Sequence, residues 1–339
     1  MPWPAWYLQE KDEGTCYVRA SDFPAILRRW DGAGRGWRYR DHWTTYRPNG
    51  RVTYKNIKRL GPSSWEDFRL IMRGCQEAGM EPPTSYVDPF LHLYFPPLPV
   101  TSVVAPFART FGGWQEAFWK GTWWGKVWLY DIRKAYRWAG CQGLPNMRTA
   151  YKTDDWHHPF AVYLCELWGQ SKPYAPWYGL HVVTSEERDQ LKITPKEVIF
   201  GLGFREQVNL APVFEKVDRL FPQCRDRISQ SYWGMWNAAQ GPEQVTWKSG
   251  HNVRQLKNPM FNPIWSAFIT SRVKLRIIPL LPITLHCFVD SILTKEVVVT
   301  GDQIGDWVLK NAFRTVWIRG PGIWGSRDQT IKHCGLTRA

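Results

Sequence analysis

The 339-residue chain lacks a C-x-x-C pair, an apolar leader and any apolar run long and clean enough to cross a membrane. Its seven cysteines (Cys16, Cys75, Cys141, Cys165, Cys224, Cys287 and Cys334) are scattered and odd in number. That excludes a disulfide framework and a cysteine zinc site, and predicts a reducing compartment. The N-terminal stretch "MPWPAWYLQEKDEG" is polar and charged, unlike a secretory signal. The most apolar run, "IIPLLPITLHCFVDSILT", carries two prolines together with His286 and Asp290. A cytoplasmic protein with no membrane partner is therefore expected. No G-x-S-x-G, H-E-x-x-H or Walker sequence occurs, so those catalytic frameworks are excluded in their usual form. Internal repeats and low-complexity tracts are also absent.

What the chain has is a folding composition with a strong positive bias. Hydrophobic residues make up 44% and charged residues 22%, which places it among globular proteins. Its length allows one large domain or two, with a core that needs neither metal nor disulfide. Lys and Arg number 44 against 30 acids, a formal charge of +14, which favours a polyanionic partner and nucleic acid first. The 22 Trp and 14 Tyr can fill a core or stack on bases. In "RRWDGAGRGWRYRDHWTTYRPNGRVTYK" arginines alternate with aromatic rings, so Arg35, Trp37 and Arg38 are candidates for gripping a single strand. A solvated hairpin accounts for the same pattern.

Periodicity places the main elements. "WEDFRLIMRGCQEAG" predicts a helix, and so does "NPIWSAFITSRVKLRII". "APVFEKVDRLFPQCRDRISQSYWGMWNAAQ" predicts a helix interrupted near Pro222. "KVWLYDI" and "DQLKITPKEVIFGLGF" suggest strands, and "ITLHCFVDSILTKEVVVT" a hairpin with Asp290 at or near its turn. The proline-rich stretch from "MEPPTSYVDPF" to "YFPPLPV" marks a boundary. Residues 1–100 are expected to form a small basic and aromatic domain, and residues 101–339 a second one. His157 and His158 read as an exposed loop, since adjacent side chains diverge, and Ser185-Glu186-Glu187 reads as a helix start.

Two aspartates, Asp131 and Asp290, each follow an apolar strand. A carboxylate there is costly unless paired or bound to a cation. Two brought together repel, and a pair of Mg²⁺ ions about 3.5–4 Å apart relieves the repulsion. Simple capping of a helix or turn is the other explanation for each residue taken singly.

The neighbouring residues resemble family B DNA polymerases, in particular the protein-primed branch, over roughly residues 105–337. "YDIRKAYRW" is similar to the first palm motif, with Asp131 in the metal-ligand place, Ile132 offering its carbonyl, and Tyr136 as the ring under the incoming sugar. "DRISQSYWGMWNA" resembles the fingers motif, where Gln230, Ser231, Trp233 and Gly234 fill the last places. "LHCFVDSILT" looks like the third motif, with Asp290 and Ser291 matching its second half. "TFGGWQEAFWKG" resembles the Tyr-x-Gly-Gly stretch through Gly112 and Gly113. "IGDWVLKNAFRTVWIRGPGIWG…IKHCGLT" is similar to the segment after the third motif. The resemblance implies an α/β (α+β) fold: a right-hand palm with an antiparallel sheet, reduced fingers at about 205–245, a small N-terminal domain and little or no thumb.

The departures bear on chemistry. Lys134 and Arg137 replace a usual Ser and Pro, Thr110 replaces the Tyr of Tyr-x-Gly-Gly, and Phe288 replaces the first aspartate of the third motif. Asp226 falls where a phosphate-gripping Lys is expected, leaving Lys216, Arg219, Arg225 and Arg227 as substitutes. Gly322 and Trp324 stand in the Lys-x-Tyr places, with Arg319 available to supply the charge, so the resemblance implies Gly112, Gly113, Ser291, Arg319 and Trp324 as nucleic-acid contacts. No Asp-x-Glu occurs in the first hundred residues, so no proofreading is expected. The resemblance thus implies a template-directed DNA polymerase using two Mg²⁺, or Mn²⁺, with Asp131 and Asp290 as catalytic ligands. Its partners would be a DNA template-primer, deoxynucleoside triphosphates, and a priming protein or accessory subunit that supplies grip. A viral or plasmid-borne gene fits this class. The alternatives are a palm-derived nucleic-acid-binding subunit that has lost synthesis, and an unrelated basic protein.

Overall fold

The computed structural model describes residues 14–19, 38–40, 43–46, 53–60, 107, 114–170, 177–222, 240–246, 252–257, 262–326 and 329–333, with isolated helical positions at 70, 73 and 77. The chain divides into two compact units: Met1–Phe95 with Val213–Tyr232, and Pro96–Pro212 with Trp233–Ala339. Of the helix expected over "WEDFRLIMRGCQEAG", Leu70, Arg73 and Glu77 are helical, and the rest lies outside the described residues.

The first unit contains a four-stranded sheet of β1 (Gly14–Arg19), β2 (Arg38–Arg40), β3 (Trp43–Tyr46) and β4 (Thr53–Leu60) in the order β1-β4-β3-β2. Strands β2, β3 and β4 pair antiparallel, while β1 lies parallel to β4.

The second unit opens with β5 (Gln115–Ala117) and the long β6 (Gly121–Ile132), which ends in helix α1 (Ala135–Gly140). Short strands β7 (Leu144–Pro145) and β8 (Ala150–Lys152) follow, then β9 (Ala161–Gln170), β10 (Trp177–Thr184), helix α2 (Ser185–Leu191), β11 (Glu197–Phe204) and β12 (Gln207–Val208). Helix α2 starts as expected: the Thr184 side chain accepts from the Glu187 N–H, and Glu186 and Glu187 occupy the first turn. Helix α3 (Ala211–Leu220), which belongs to the first unit from Val213 onward, buries Val213, Phe214 and Val217, the apolar stripe its spacing predicts, and the chain leaves it just before Pro222. Strands β13 (Gln240–Thr246) and β14 (Asn252–Lys257) form a separate hairpin.

Helix α4 (Pro263–Ile277) organises the second unit. Asn262 caps it by accepting from the Trp265 N–H, and Pro263 takes the first turn, where no amide donor is needed. Nearly every side chain along it is buried, so it is a core helix rather than a surface one. It runs through a 3₁₀ segment, Ile278–Ile283, into β15 (Thr284–Phe288) and β16 (Ser291–Thr294). Then come β17 (Trp307–Gly320), β18 (Ile323–Ser326) and β19 (Gln329–His333).

These strands close a seven-stranded antiparallel sheet in the order β19-β18-β17-β6-β16-β15-β5. Strand β6 therefore sits in the middle, flanked by β16 and β17, which enter the chain far downstream. The second sheet runs β10-β9-β11-β8. The whole is a mixed α/β fold. Among the described residues no helix is long and apolar enough to cross a membrane.

Candidate active site

The site forms where β6 ends. Asp131 is the penultimate residue of that strand and pairs with Ser291 of β16 on one side and Val308 of β17 on the other. Strands β15 and β16 form a hairpin whose two-residue loop is Val289-Asp290, with Phe288 opposite Ser291. The Ile132 N–H donates to the Asp290 carbonyl at 2.9 Å. The hairpin turn is thus bonded to the end of β6, which seats the two aspartates side by side.

The turn is strained. Val289 has φ 59°, a conformation costly for a β-branched residue and usual for glycine at the first loop position of a tight hairpin. Its N–H donates to the Trp114 carbonyl at 2.7 Å, and the Ser291 hydroxyl donates back to the Phe288 carbonyl at 3.0 Å. These bonds hold the strain in place, an arrangement that clusters at functional sites.

Electrostatics follow from this geometry. Burial, then the neighbouring Asp131, pushes the Asp290 carboxyl up to about 7, while Lys310 pulls the other way. The Tyr136 hydroxyl is raised well above its ordinary value by burial, then by Asp290 and Asp131. Tyr136 stands on the first turn of α1, just beyond Asp131, so one ring and two carboxylates share a small volume. Lys310 reaches Asp131 with its ammonium 3.2 Å from Oδ2. Among the described residues no cluster of three or more His, Cys, Asp or Glu assembles to hold a metal.

The other end of the β6–β17 ladder has a different character. Trp124 is exposed, Trp119 partly so, and Trp123 packs edge-on to Trp119 with ring centroids 5.3 Å apart. Arg319 lies over the Trp317 ring, its guanidinium 5.1 Å from the centroid. Lys126, Arg314 and Arg319 are exposed along the same two strands, and Lys120 just before β6.

Across the described residues this architecture has a counterpart. Its fold is similar to that of Phi29 DNA polymerase. Against Phi29 DNA polymerase with single-stranded DNA the TM-score is 0.63 at 12% identity, covering 95% of this chain and 84% of that one. With primer-template DNA in a post-translocation binary complex it is 0.62 at 12%, with the same coverage. With primer-template DNA and incoming nucleotide substrates it is 0.59 at 13%, covering 96% and 84%. No protein-family model matches the chain, and no curated protein matches its sequence. The fold is thus like that of Phi29 DNA polymerase, at a sequence identity of 12–13%.

The expected residues fall into distinct places. Asp131, Asp290, Ile132, Tyr136 and Ser291 come together at the end of β6, and Ser291 is engaged within the hairpin turn. Arg319 is exposed, far along β17 from the carboxylates. Trp324 is corrected: as a nucleic-acid contact it would need a free face, but the ring is buried, 5.6 Å centroid to centroid from Phe313 and within an apolar cluster that includes Val127 and Leu293. Gly322, in the place of a Lys, has φ 69° and donates its N–H to Nε2 of the buried His286 at 3.0 Å, so this position builds a turn. Lys216 and Arg219 are exposed on α3 in the first unit, and Arg38 lies in β2. Arg35, Trp37, Gly112, Gly113, Arg225, Arg227, Gln230, Ser231, Trp233 and Gly234 lie outside the described residues.

Sequence reasoning missed Lys310 and the exposed Trp119 and Trp124. The alternating Trp and Lys of "WKGTWWGKVW" was the available signal for the tryptophans. Lys310 had none.

Proposed function

We propose that this protein is a template-directed DNA polymerase that adds deoxynucleotides by two-metal nucleotidyl transfer, without proofreading. The observation that supports it most directly is the hairpin bond that seats Asp290 against the end of β6 beside Asp131, within a fold like that of Phi29 DNA polymerase. On this reading the seven-stranded sheet is the palm.

The donor set fits divalent cations. Two oxygen ligands are pressed together in a half-buried place where one of them resists ionisation, and a hard cation removes that conflict. Asp131 and Asp290, with the Ile132 carbonyl, would hold the Mg²⁺ ions. When bound, the ions supply activation of the primer 3′-hydroxyl and charge neutralisation at the departing pyrophosphate. Tyr136 offers a ring, with its hydroxyl kept neutral, as a floor for the incoming sugar. The basic and aromatic length of β6 and β17 offers cations for phosphates and the exposed Trp124 for a base.

Primer extension with Mg²⁺ or Mn²⁺ tests the proposal. Extension is expected from the wild type, abolished by EDTA and by Asp290→Ala. Two observations favour a second reading, a binding subunit without synthesis: a lysine pairs with Asp131, and Phe288 fills the place of a third carboxylate. Tight DNA binding that weakens steeply with salt, with no extension under either cation, would select it.

A further inference from the structure

Lys310 reaches Asp131 because of an irregularity in β17. Val308 pairs with Asp131 and Leu309 with Tyr130, but the next residue in register is Asn311, opposite Leu129. Lys310 is the extra residue of a β-bulge, a device that re-aims a side chain and disturbs pairing locally. The Asn311 side chain accepts from the Ala312 N–H at 2.8 Å, holding the chain just after the bulge. Without the extra residue, position 310 would pair in register with Leu129. With it, the ammonium sits 3.2 Å from the Asp131 carboxylate, with half of the lysine side chain still open to solvent. The same charge acts on Asp290, so one cation serves both acids. A solubilising surface lysine needs no such aim.

We propose that Lys310 is the resident counter-ion of the carboxylate pair, holding the place of one divalent cation and giving way when that cation binds. The inference rests on the reading that Asp131 and Asp290 bind cations. The metal-free protein then carries its two acids without full repulsion, and metal binding is a contest between ammonium and ion. The lysine is a positioning residue.

The test is Mn²⁺ titration of the full-length protein, followed by electron paramagnetic resonance, on wild type, Lys310→Met, Lys310→Arg and Asp131→Asn. Lys310→Met should bind Mn²⁺ about fivefold more tightly, the scale of a half-exposed ion pair. Lys310→Arg should stay near wild type, and Asp131→Asn should lose the site. The melting temperature of Lys310→Met should fall below wild type in EDTA and recover in saturating Mg²⁺. Unchanged or weaker Mn²⁺ binding by Lys310→Met, or a melting deficit equal with and without cation, overturns the proposal while leaving the carboxylate reading intact. Absence of binding in both wild type and Lys310→Met overturns both.

Discussion

The Arg272–Glu186 pair in the helix layer and the Lys310–Asp131 pair at the carboxylate site each set one cation against one acid, and their surroundings differ throughout. Arg272 is buried; its Nε and Nη2 grip both oxygens of Glu186 at 2.6–3.1 Å, and Nη1 and Nη2 donate at 2.7 Å to the carbonyls of Ala139 and Gly143. The guanidinium therefore ties α4 to α1 and α2 in a geometry only Arg can supply. Lys310 makes one contact to Asp131 from a half-exposed chain and leaves Asp290 next door with its ionisation opposed. The architectural cation is buried and gripped by a carboxylate and two carbonyls, whereas the cation at the carboxylate site stays half open to solvent, where a ligand can compete with it.

Breaking each side of that contrast should give separable results. The largest effect is expected for Asp131→Asn, which should slow nucleotide incorporation at least a thousandfold, about 4 kcal/mol of barrier, with the unfolding midpoint in urea little changed. Near-normal single-nucleotide incorporation would remove Asp131 from the chemistry. Arg272→Met should instead cost about 3 kcal/mol of folding stability, since it strands Glu186 and two carbonyls. Urea unfolding measures it, and a loss under about 1 kcal/mol would mean that the network relaxes without the arginine.

His286 sharpens the comparison from the structural side. Burial lowers its pKa from 6.5 to about 4, and Nε2 accepts from Gly322 in the turn between β17 and β18. The unfolded chain takes up a proton below about pH 6.5 that the native state refuses. This contribution is therefore intact above that pH and is lost as pH falls toward 4, by about 2–3 kcal/mol. Subtracting the stability–pH curve of His286→Gln from that of wild type should show this slope, and parallel curves would deny it.

Asp290 gives the opposite sign and the smaller change. Its native pKa of about 7 lies above its unfolded value, so stability is lost as pH rises from about 4 to 7. At pH 8 in EDTA, Asp290→Asn should be more stable than wild type by about 1–2 kcal/mol, discounted for residual solvent. Saturating Mg²⁺ should narrow or reverse the gap. A destabilised Asn variant in EDTA would show that the acids do not repel.

Local chemistry was enough to read several of these parts. The run "NPIWSAFITSRVKLRII" announces a helix, because side-chain periodicity acts within a few residues, while its Asn262 cap and its burial came from the structure. The hairpin with Asp290 in its loop was equally visible, flanked by two short apolar strands. Trp324 was misjudged, since a tryptophan in a short strand looks the same whether its ring faces solvent or a core. Burial is settled by the layer packed against it, here Phe313 and its neighbours.

From residue order alone came the positive charge, the ends of β6 and α4, and an acid at each of two strand termini. Folding added the adjacency of those acids and the lysine beside Asp131. Strand pairing joins segments distant along the chain, and one inserted residue in β17 redirects a side chain without leaving a mark in local propensity. The carboxylate pair is therefore a property of register, which only the assembled sheet specifies.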